Sequence, residues 1–450
     1  MMKSWVEKTI GQICDLSGGE VKTGPFGSQL HQSDYQESGT PVVMPTNIIN
    51  GKIDVDKIAR VSENHVNRLF KHKLSVGDII YGRRGDIGRQ ALIRKENKNW
   101  LCGTGCLRIS LGNGLVDPKF LHNYLMLNGV VSWIQNQAIG ATMPNLNTKI
   151  LRSVSVKFPS EIKHQKKIVA ILSAYDDLIE NNTRRIALLE RMAEELYKEW
   201  FVRMRFPGHE QTRFVKGIPE GWSVKELEQI IDDIIDYRGV TPGKLGGDWS
   251  EHGCPALSAL NVKNGRLIKL DQSKHVDEKM FEKWMRKKLK KFDILLTSEA
   301  PLGELYILLK DEKYVLSQRL FSIRANSDLI SPLYLYSYLQ SQSGQYELTS
   351  KGTGSTVSGI RQALLRQIHI LTPSKPVMEK FDEQMLSFLS QKETLILASK
   401  ILSQTRDRLL TRLISGKLSV EDRDIAFPPS MLEDEMVQQA VAQKALEPVL

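Results

Sequence analysis

Two long stretches of the sequence carry apolar residues at the three- and four-residue spacing of a helix seam. In the first stretch the alternation never breaks, and the polar residue Asn182 stands among the apolar ones. The seam positions are Leu172, Tyr175, Ile179, Asn182, Ile186, Leu189, Ala193, Leu196 and Trp200. We predict a helix from Lys163 to Phe201, which would be about 58 Å long at 1.5 Å per residue.

The second stretch lies near the end of the chain and is less regular. Lys392, Ser399 and Arg406 occupy some of its seam positions. Its apolar positions recur every seven residues: Phe381, Phe388, Leu395, Leu402 and Leu409. Because two such helices can bury their stripes on each other, we predict an antiparallel coiled coil that separates two globular domains. A buried Asn182 would fix the register of this coil, and solvent exposure at a gap in the seam is the alternative.

The segments before the two predicted helices match each other along their length. Glycines, prolines and apolar residues recur at offsets between 214 and 217 residues, a drift too small for chance. Matching turn residues indicate matching backbone turns. Examples are Trp5 and Trp222, Gly39 and Gly253, Asp78 and Asp293, Pro118 and Pro332, and Arg152 and Arg366. We therefore predict two copies of one domain.

Inside each copy, short apolar runs broken by glycine and asparagine predict mixed α/β (α+β) structure with a few helices. In the first copy, Leu74 to Tyr81 has the pattern of a strand, and Pro118 to Leu127 that of a helix with proline at its start. The predicted boundaries are 1–160 and 207–375 for the two domains, 161–206 and 376–418 for the helices, and 419–450 for an acidic tail.

Composition narrows the class of protein. The chain of 450 residues has a formal net charge of +10, which suits either a nucleic-acid partner or a merely basic protein. Four scattered cysteines do not predict disulfides or a metal site. There is no apolar run of about 20 residues, and the N-terminus lacks the apolar core of a signal peptide, so we predict a cytoplasmic protein without membrane contact.

The sequence shows no recognisable catalytic constellation. The segment Gly239 to Leu245 resembles a phosphate loop but is one residue short and ends in leucine, so we interpret it as a turn. No methyltransferase tetrad of the Asn-Pro-Pro-aromatic kind is present. We predict no catalytic residue, metal or cofactor on this chain. A self-sufficient methyltransferase or nuclease with degenerate motifs is the alternative, and a pure protein scaffold is a third interpretation.

The positive charge is concentrated in loops. Arg83, Arg84 and Arg89 lie in a glycine-punctuated segment directly after a predicted strand, which suits DNA contact better than a solvated hairpin. The run from Arg286 to Lys291 suits phosphate contact or a solvated turn equally well. Between the two copies, Arg83-Arg84 aligns with Ser298-Glu299. One scaffold with two different loop surfaces predicts two unlike half-sites.

The order of these motifs resembles the specificity subunits of type I restriction–modification systems. Lys22 to Leu30 followed by Asp34-Tyr35 is similar to the opening of a target-recognition domain in that family. Gly77 to Ile80, followed by Arg84-Gly85, is similar to its central strand, and Leu409 to Leu418 to the end of its second helix. The second copy departs from the opening pattern, since Tyr237 to Pro242 replaces the Gly-Pro-Phe-Gly element.

The resemblance implies partners and roles. Each domain would read a few base pairs of double-stranded DNA, and the helices would act as a spacer and dock two modification subunits. Those subunits would carry S-adenosylmethionine and methylate adenine, whereas restriction subunits would use ATP and Mg²⁺ to translocate and cut DNA. This chain would supply specificity and assembly only.

Polar loop residues of both copies are the candidate DNA contacts. Asparagine suits adenine edges, and for Asn145 and Asn147 loop capping is an equally good interpretation. The candidates are Lys22, Ser28, Gln29, His31, Arg83, Arg84, Arg89, Asn145, Asn147, Lys149, Arg238, Lys244, Ser298, Gln318, Arg319, Thr356 and Arg361.

Overall fold

Each half of the repeat lies in its own unit of the structure. The computed structural model describes residues 5–85, 87–138, 145–353 and 358–432. Unit 1 consists of Met1–Asn181 and Ser399–Leu450, and unit 2 of Asn182–Ala398. Each unit therefore contains one copy of the repeat together with a segment of each long helix.

In unit 1, short strands and helices precede the first long helix. Its strands are β1 (Trp5–Thr9), β2 (Glu20–Thr23), β3 (Thr40–Val43), β4 (Ile48–Ile49), β5 (Lys52–Ile53), β6 (Arg60–Val61), β7 (Ile79–Gly82), β8 (Gln90–Leu92), β9 (Leu101–Cys102), β10 (Cys106–Ser110) and β11 (Ser155–Pro159). Its helices are α1 (Ile10–Ser17), α2 (Glu63–Arg68), α3 (Pro118–Leu125), α4 (Asn128–Gln137), α5 (Thr148–Arg152) and α6 (Ile162–Tyr197), which continues into unit 2.

The strands of unit 1 form small sheets. Strands β2, β10, β7 and β8 form a four-stranded sheet in that order, antiparallel throughout. Strand β3 pairs antiparallel with β6 and parallel with β9, while β4 pairs with β5 and β1 with β11. One face of the four-stranded sheet contributes Ile79, Tyr81 and Leu107 to an apolar core that also includes α1 and α3.

Unit 2 repeats this arrangement. Its strands are β12 (Phe214–Val215), β13 (Ile218–Pro219), β14 (Ser223–Glu226), β15 (Ile231–Asp236), β16 (Cys254–Leu257), β17 (Val262–Lys263), β18 (Arg266–Leu267), β19 (His275–Val276), β20 (Ile294–Thr297), β21 (Leu305–Ile307), β22 (Val315–Leu316), β23 (Leu320–Ala325) and β24 (His369–Thr372). Its helices are α7 (Glu278–Trp284), α8 (Pro332–Gln340), α9 (Gln342–Ser350), α10 (Gln362–Leu365) and α11 (Lys375–Ile414), which continues into unit 1.

The strand orders of the two units correspond sheet by sheet. The order β15-β23-β20-β21 matches the four-stranded sheet of unit 1, and β19-β16-β22 matches its three-stranded sheet. The hairpin of β12 and β13 has no equivalent in the described part of unit 1. The predicted duplication of a mixed α/β domain is therefore confirmed.

Local hydrogen bonds explain where the predicted elements begin and end. The strand predicted from Leu74 starts only at Ile79, because Asp78 closes a turn by accepting from the Ser75 amide at 2.8 Å. The side chain of Asp117 caps α3 by accepting from the Phe120 amide at 3.0 Å. The long helix predicted to Phe201 is regular to Tyr197 and then widens into a π-helical turn.

The two long helices pack on each other in an antiparallel sense within each unit. In unit 1 the beginning of α6 and the end of α11 share one core, where Leu172 lies with Leu410 and Leu413. In unit 2 the end of α6 meets the beginning of α11, and the rings of Trp200 and Phe381 are 6.0 Å apart. All the predicted seam positions of both helices are buried or half-buried, Asn182 among them.

Residues 419–432, in the predicted acidic tail, pack on unit 1. Val420 and Met431 are buried in its core. The Lys167 ammonium donates to the carbonyl oxygens of Val420 and Glu421, at 3.3 and 2.8 Å. This part of the chain is thus an integral element of unit 1.

Candidate nucleic-acid interface

Three loops of unit 1 meet at one edge of its four-stranded sheet. Strand β7 ends at Gly82 where the antiparallel strand β10 begins, so the segment after β7 lies against the segment before β10. The Arg83 amide donates to the Gly105 carbonyl at 2.8 Å, and the Leu146 amide donates to the Arg83 carbonyl at 2.9 Å. Arg83 therefore joins the other two loops through its backbone.

The side chains of this edge divide into internal and outward groups. The Nε of Arg83 donates to the side-chain oxygen of Asn145 at 3.0 Å and to the Leu146 carbonyl at 3.1 Å, and this residue is half-buried. Arg84, Arg89 and Lys149 are exposed. The basic surface of unit 1 thus consists of exposed cations around one internal arginine.

The asparagines of the third loop hold its geometry. Asn147 caps α5, since its side-chain oxygen accepts from the Ile150 amide at 2.9 Å. The side-chain oxygen of Asn145 is bound by Arg83. Loop capping, one of the two interpretations of the sequence, therefore accounts for these oxygens; the predicted contact with adenine stays a prediction.

Unit 2 has the same backbone arrangement at the corresponding edge. The Ser298 amide donates to the Arg319 carbonyl, and the Ile360 amide donates to the Ser298 carbonyl, both at 2.9 Å. Ser298, Arg319 and Ile360 thus take the places of Arg83, Gly105 and Leu146. Ser298 is only 1% exposed, so its side chain is not presented to solvent at this edge.

The outward side chains of the two edges differ in charge. Glu299 follows Ser298 where Arg84 follows Arg83, and its carboxylate lies 3.2 Å from the Nε of Arg319. Arg319 adopts φ +61°, a left-handed conformation for which Gly105 is better suited. Unit 2 therefore presents an ion pair where unit 1 presents cations.

A family model for the type I restriction modification DNA specificity domain matches residues 2–191 and again 219–404. The chain belongs to this family. Each copy of the repeat is one DNA specificity domain, and the recognition function expected from the sequence is the function of the family.

Relatives match over almost the whole chain. The type I restriction enzyme MjaIX specificity subunit of Methanocaldococcus jannaschii is 24% identical over 435 residues, which cover 93% of this chain and 95% of the relative. The HindI specificity subunit of Haemophilus influenzae is 22% identical over 411 residues, covering 77% and 88%. The S subunit from the type I system of M. genitalium has a crystal structure that matches with a TM-score of 0.57 at 16% identity, over 92% of this chain and 97% of that one, and therefore shares the fold.

The opening loop of the first specificity domain lies beside the same sheet edge. The Gly24 amide donates to the carbonyl of Cys106, the first residue of β10, at 2.9 Å. Three of the predicted contacts in this loop are exposed, and the ammonium of Lys22 lies 3.8 Å from the Glu20 carboxylate. The three are Ser28, Gln29 and His31. The structure thus brings the opening loop and the arginine loop together.

In the second specificity domain, two predicted contacts bind their own loop. The guanidinium of Arg238 donates to both oxygens of Asp236 at 2.9 Å and lies 4.0 Å above the ring of Phe321. The Lys244 ammonium donates to the Gly239 carbonyl at 2.7 Å. The segment resembling a phosphate loop contains a 3-10 turn, Gly243–Leu245, as the sequence indicated. Arg238 and Lys244 therefore stabilise this turn.

The remaining candidate DNA contacts lie in different environments. Gln318 and Arg361 are exposed, and Thr356 lies outside the described residues, as do residues 142–144. In the basic run, the ammonium of Lys287 is 2.5 Å from the Asp233 carboxylate and that of Lys288 is 2.6 Å from the Glu282 carboxylate. Because these two lysines are paired with carboxylates, their charges are already partly neutralised within the unit, which disfavours phosphate contact by this run.

The structure also bears on other classes of site. All four cysteines are buried, and burial raises the pKa of the Cys14 thiol to about 11. Among residues 5–85, 87–138, 145–353 and 358–432, no three metal-ligating side chains come together. No helix in those ranges is long and apolar enough to cross a membrane.

Proposed function

We propose that this chain is the specificity subunit of a type I restriction–modification complex and that each unit reads one part of a bipartite double-stranded DNA target. The observation that carries the proposal is that the loop after β7 in unit 1 and the loop after β20 in unit 2 have matching backbone contacts. Arg83 and Ser298 have the same backbone partners in their units, whereas Arg84 and Glu299, the next residues, have opposite charges.

The chemistry of the two edges suits different bases. The exposed cations of unit 1, Arg84, Arg89 and Lys149, suit the acceptors of guanine and the phosphates beside it. In unit 2, Glu299 is a potential acceptor for cytosine, and Gln318 suits adenine. Two half-sites of unlike sequence are therefore expected.

The chain would act with partner subunits. Its relatives are named as specificity subunits of type I restriction enzymes, and we extend that role to this chain, which would dock modification and restriction subunits. The outer faces of the long helices are the candidate docking surfaces, where Leu178 of unit 1 and Leu188 of unit 2 are both 54% exposed. S-adenosylmethionine, ATP and Mg²⁺ would belong to the partners, and this chain would be non-catalytic.

The test is methylation mapping. The chain is expressed together with modification subunits of its own system in a host without that system, and modified adenines are located by single-molecule sequencing. We expect one motif with two specified parts and an unread gap. A contiguous motif without a gap would contradict the proposal.

A second assay tests the alternative function, that of a self-sufficient methyltransferase. The purified chain, free of partners, is incubated with labelled S-adenosylmethionine and mixed DNA. We expect no methyl transfer. Methylation by the pure chain would instead support a self-sufficient methyltransferase.

A further inference from the structure

Phe26 stands at the tip of the opening loop of unit 1. It is 59% exposed, although Pro25 before it and Leu30 after it in the loop are buried. The two buried residues anchor the loop at both ends. Burial of this ring by a partner would be favourable. Because single exposed apolar side chains are common on protein surfaces, the position of the ring decides its role.

The loop holds this ring in a defined position. The side-chain oxygen of Gln29 accepts from the Phe26 amide at 3.0 Å, and the Phe26 carbonyl accepts from the Gln29 amide at 2.8 Å. Arg68, at the end of α2, donates to the Gln29 carbonyl at 3.0 Å. The tip is thus fixed by its own turn and by a neighbouring helix.

The base of the opening loop lies against the connection between β9 and β10. A Cβ atom added to Gly24 would lie 2.1 Å from the Gly103 carbonyl oxygen, so the two backbones are in direct contact. Two residues later, Gly105 accepts the hydrogen bond from the Arg83 amide. Phe26 therefore projects from the same group of loops as the exposed arginines.

Unit 2 offers no comparable ring in this place. After β15 the chain continues through Tyr237, Arg238 and Gly239, and Tyr237 is half-buried. The Phe321 ring near this turn is buried and covered by the Arg238 guanidinium at 4.0 Å. In this segment of unit 2, the aromatic rings of Tyr237 and Phe321 therefore pack within the unit.

We propose that Phe26 inserts as an apolar wedge at a base step of the half-site bound by unit 1 and partly unstacks it. Apolar side chains act in this way in proteins that bend DNA, flanked by polar groups that hold the backbone. Ser28, Gln29 and His31 supply such polar groups around Phe26. Unit 1 would then read its half-site partly through the deformability of the DNA.

This inference rests on the proposed function, and the test keeps the two apart. The full-length chain with its modification subunits is bound to a duplex carrying the mapped target, with 2-aminopurine placed at successive positions. We expect increased fluorescence at one step of the unit 1 half-site. Phe26→Ala removes this signal and weakens binding about tenfold, whereas Phe26→Trp retains it.

Leu16→Ala is the matched control. Leu16 is 65% exposed, but it lies in α1, before β2, whereas Phe26 follows the other end of that strand. The control should leave binding and fluorescence unchanged. Specific binding without a signal that depends on Phe26 overturns the wedge alone, as does a Phe26→Ala variant that weakens only subunit assembly. Absence of specific DNA binding by the unaltered complex overturns the proposed function itself.

Discussion

The loop after β7 in unit 1 and the loop after β20 in unit 2 share their backbone hydrogen bonds and differ in what they present to solvent. In unit 1, Arg84 is exposed beside an internal arginine. In unit 2, Glu299 pairs with Arg319 at 3.2 Å. The backbone therefore fixes where the outward side chains stand, and a few substitutions at those positions set the charge that each loop presents.

The packed helix segments of the two units also differ in their charged residues. In unit 1 the Arg406 guanidinium lies 2.6 Å from the Asp176 carboxylate, and the arginine side chain is 23% exposed. In unit 2 the Lys392 ammonium lies 3.0 Å from the Glu190 carboxylate, with only 8% of the lysine side chain exposed. Each unit thus has a charged pair between its helix segments, and the cation of unit 2 is more deeply buried.

The largest expected effect comes from breaking the buried pair. Glu190→Ala removes the carboxylate that pairs with the buried Lys392 and, at 3.1 Å, with Arg266, so the free energy of unfolding of unit 2 should fall by about 3 kcal/mol. Asp176→Ala, the corresponding change in unit 1, should cost about 1 kcal/mol because Arg406 is better solvated and keeps the Asp407 carboxylate at 2.7 Å. Urea denaturation measures both. Equal losses would mean that the depth of burial does not distinguish the pairs.

The next effect concerns specificity in unit 1. Arg84→Ala removes a candidate base contact and should reduce discrimination at one position by about 1–3 kcal/mol. Methylation mapping should show one half-site relaxed and the other unchanged. Lys98→Ala is the control, because this exposed lysine lies in the β8–β9 connection, away from the loops that meet at Arg83. Relaxation of neither half-site would exclude Arg84 from base reading.

A smaller change is expected when the ion pair of unit 2 is broken. Glu299→Ala releases the Arg319 guanidinium, so binding to DNA that lacks the target sequence should strengthen, and its salt dependence should steepen by about one phosphate contact. Titrations over a range of salt concentrations measure this slope. The control is Glu228→Ala, which breaks the 3.6 Å pair with Arg366 elsewhere in unit 2. A slope unaltered by Glu299→Ala would show that Arg319 does not reach phosphate.

The smallest expected effect distinguishes helix capping by Asn147 from contact with DNA. Asn147→Ala removes the side-chain cap of α5 and should lower the stability of unit 1 by about 1 kcal/mol. Arg361 occupies the corresponding position before α10 and makes no side-chain cap hydrogen bond, so Arg361→Ala should leave stability unchanged. Thermal unfolding compares the two variants. A loss in Arg361→Ala as large as that in Asn147→Ala would contradict this difference.

The sequence predicted the duplication and the helix seams because both depend on local spacing. The constant offset between Pro118 and Pro332 and the alternation from Leu172 to Trp200 are visible without a structure. The individual site residues were harder to predict, since their roles depend on distant partners. Ser298 is buried by loops some 20 and 60 residues away along the chain, and Arg238 is held by Phe321.

Phe26 shows a different limit. It lies inside the opening motif, but charge and hydrogen-bonding capacity single out the polar residues around it as candidate DNA contacts. The exposure of an apolar side chain is a property of the fold and has no sequence signal of its own. A comparison of the two copies offered the only hint, since the Gly-Pro-Phe-Gly element is absent from the second copy.

The most direct test of the central claim is a methylation map of four single variants. Arg84→Ala and Lys149→Ala alter unit 1, whereas Gln318→Ala and Arg361→Ala alter unit 2, and all four side chains are exposed. If each unit reads its own half-site, the first two variants change one part of the methylated motif and the last two change the other. The claim is contradicted if variants of one unit alter both parts, or if variants of both units alter the same part.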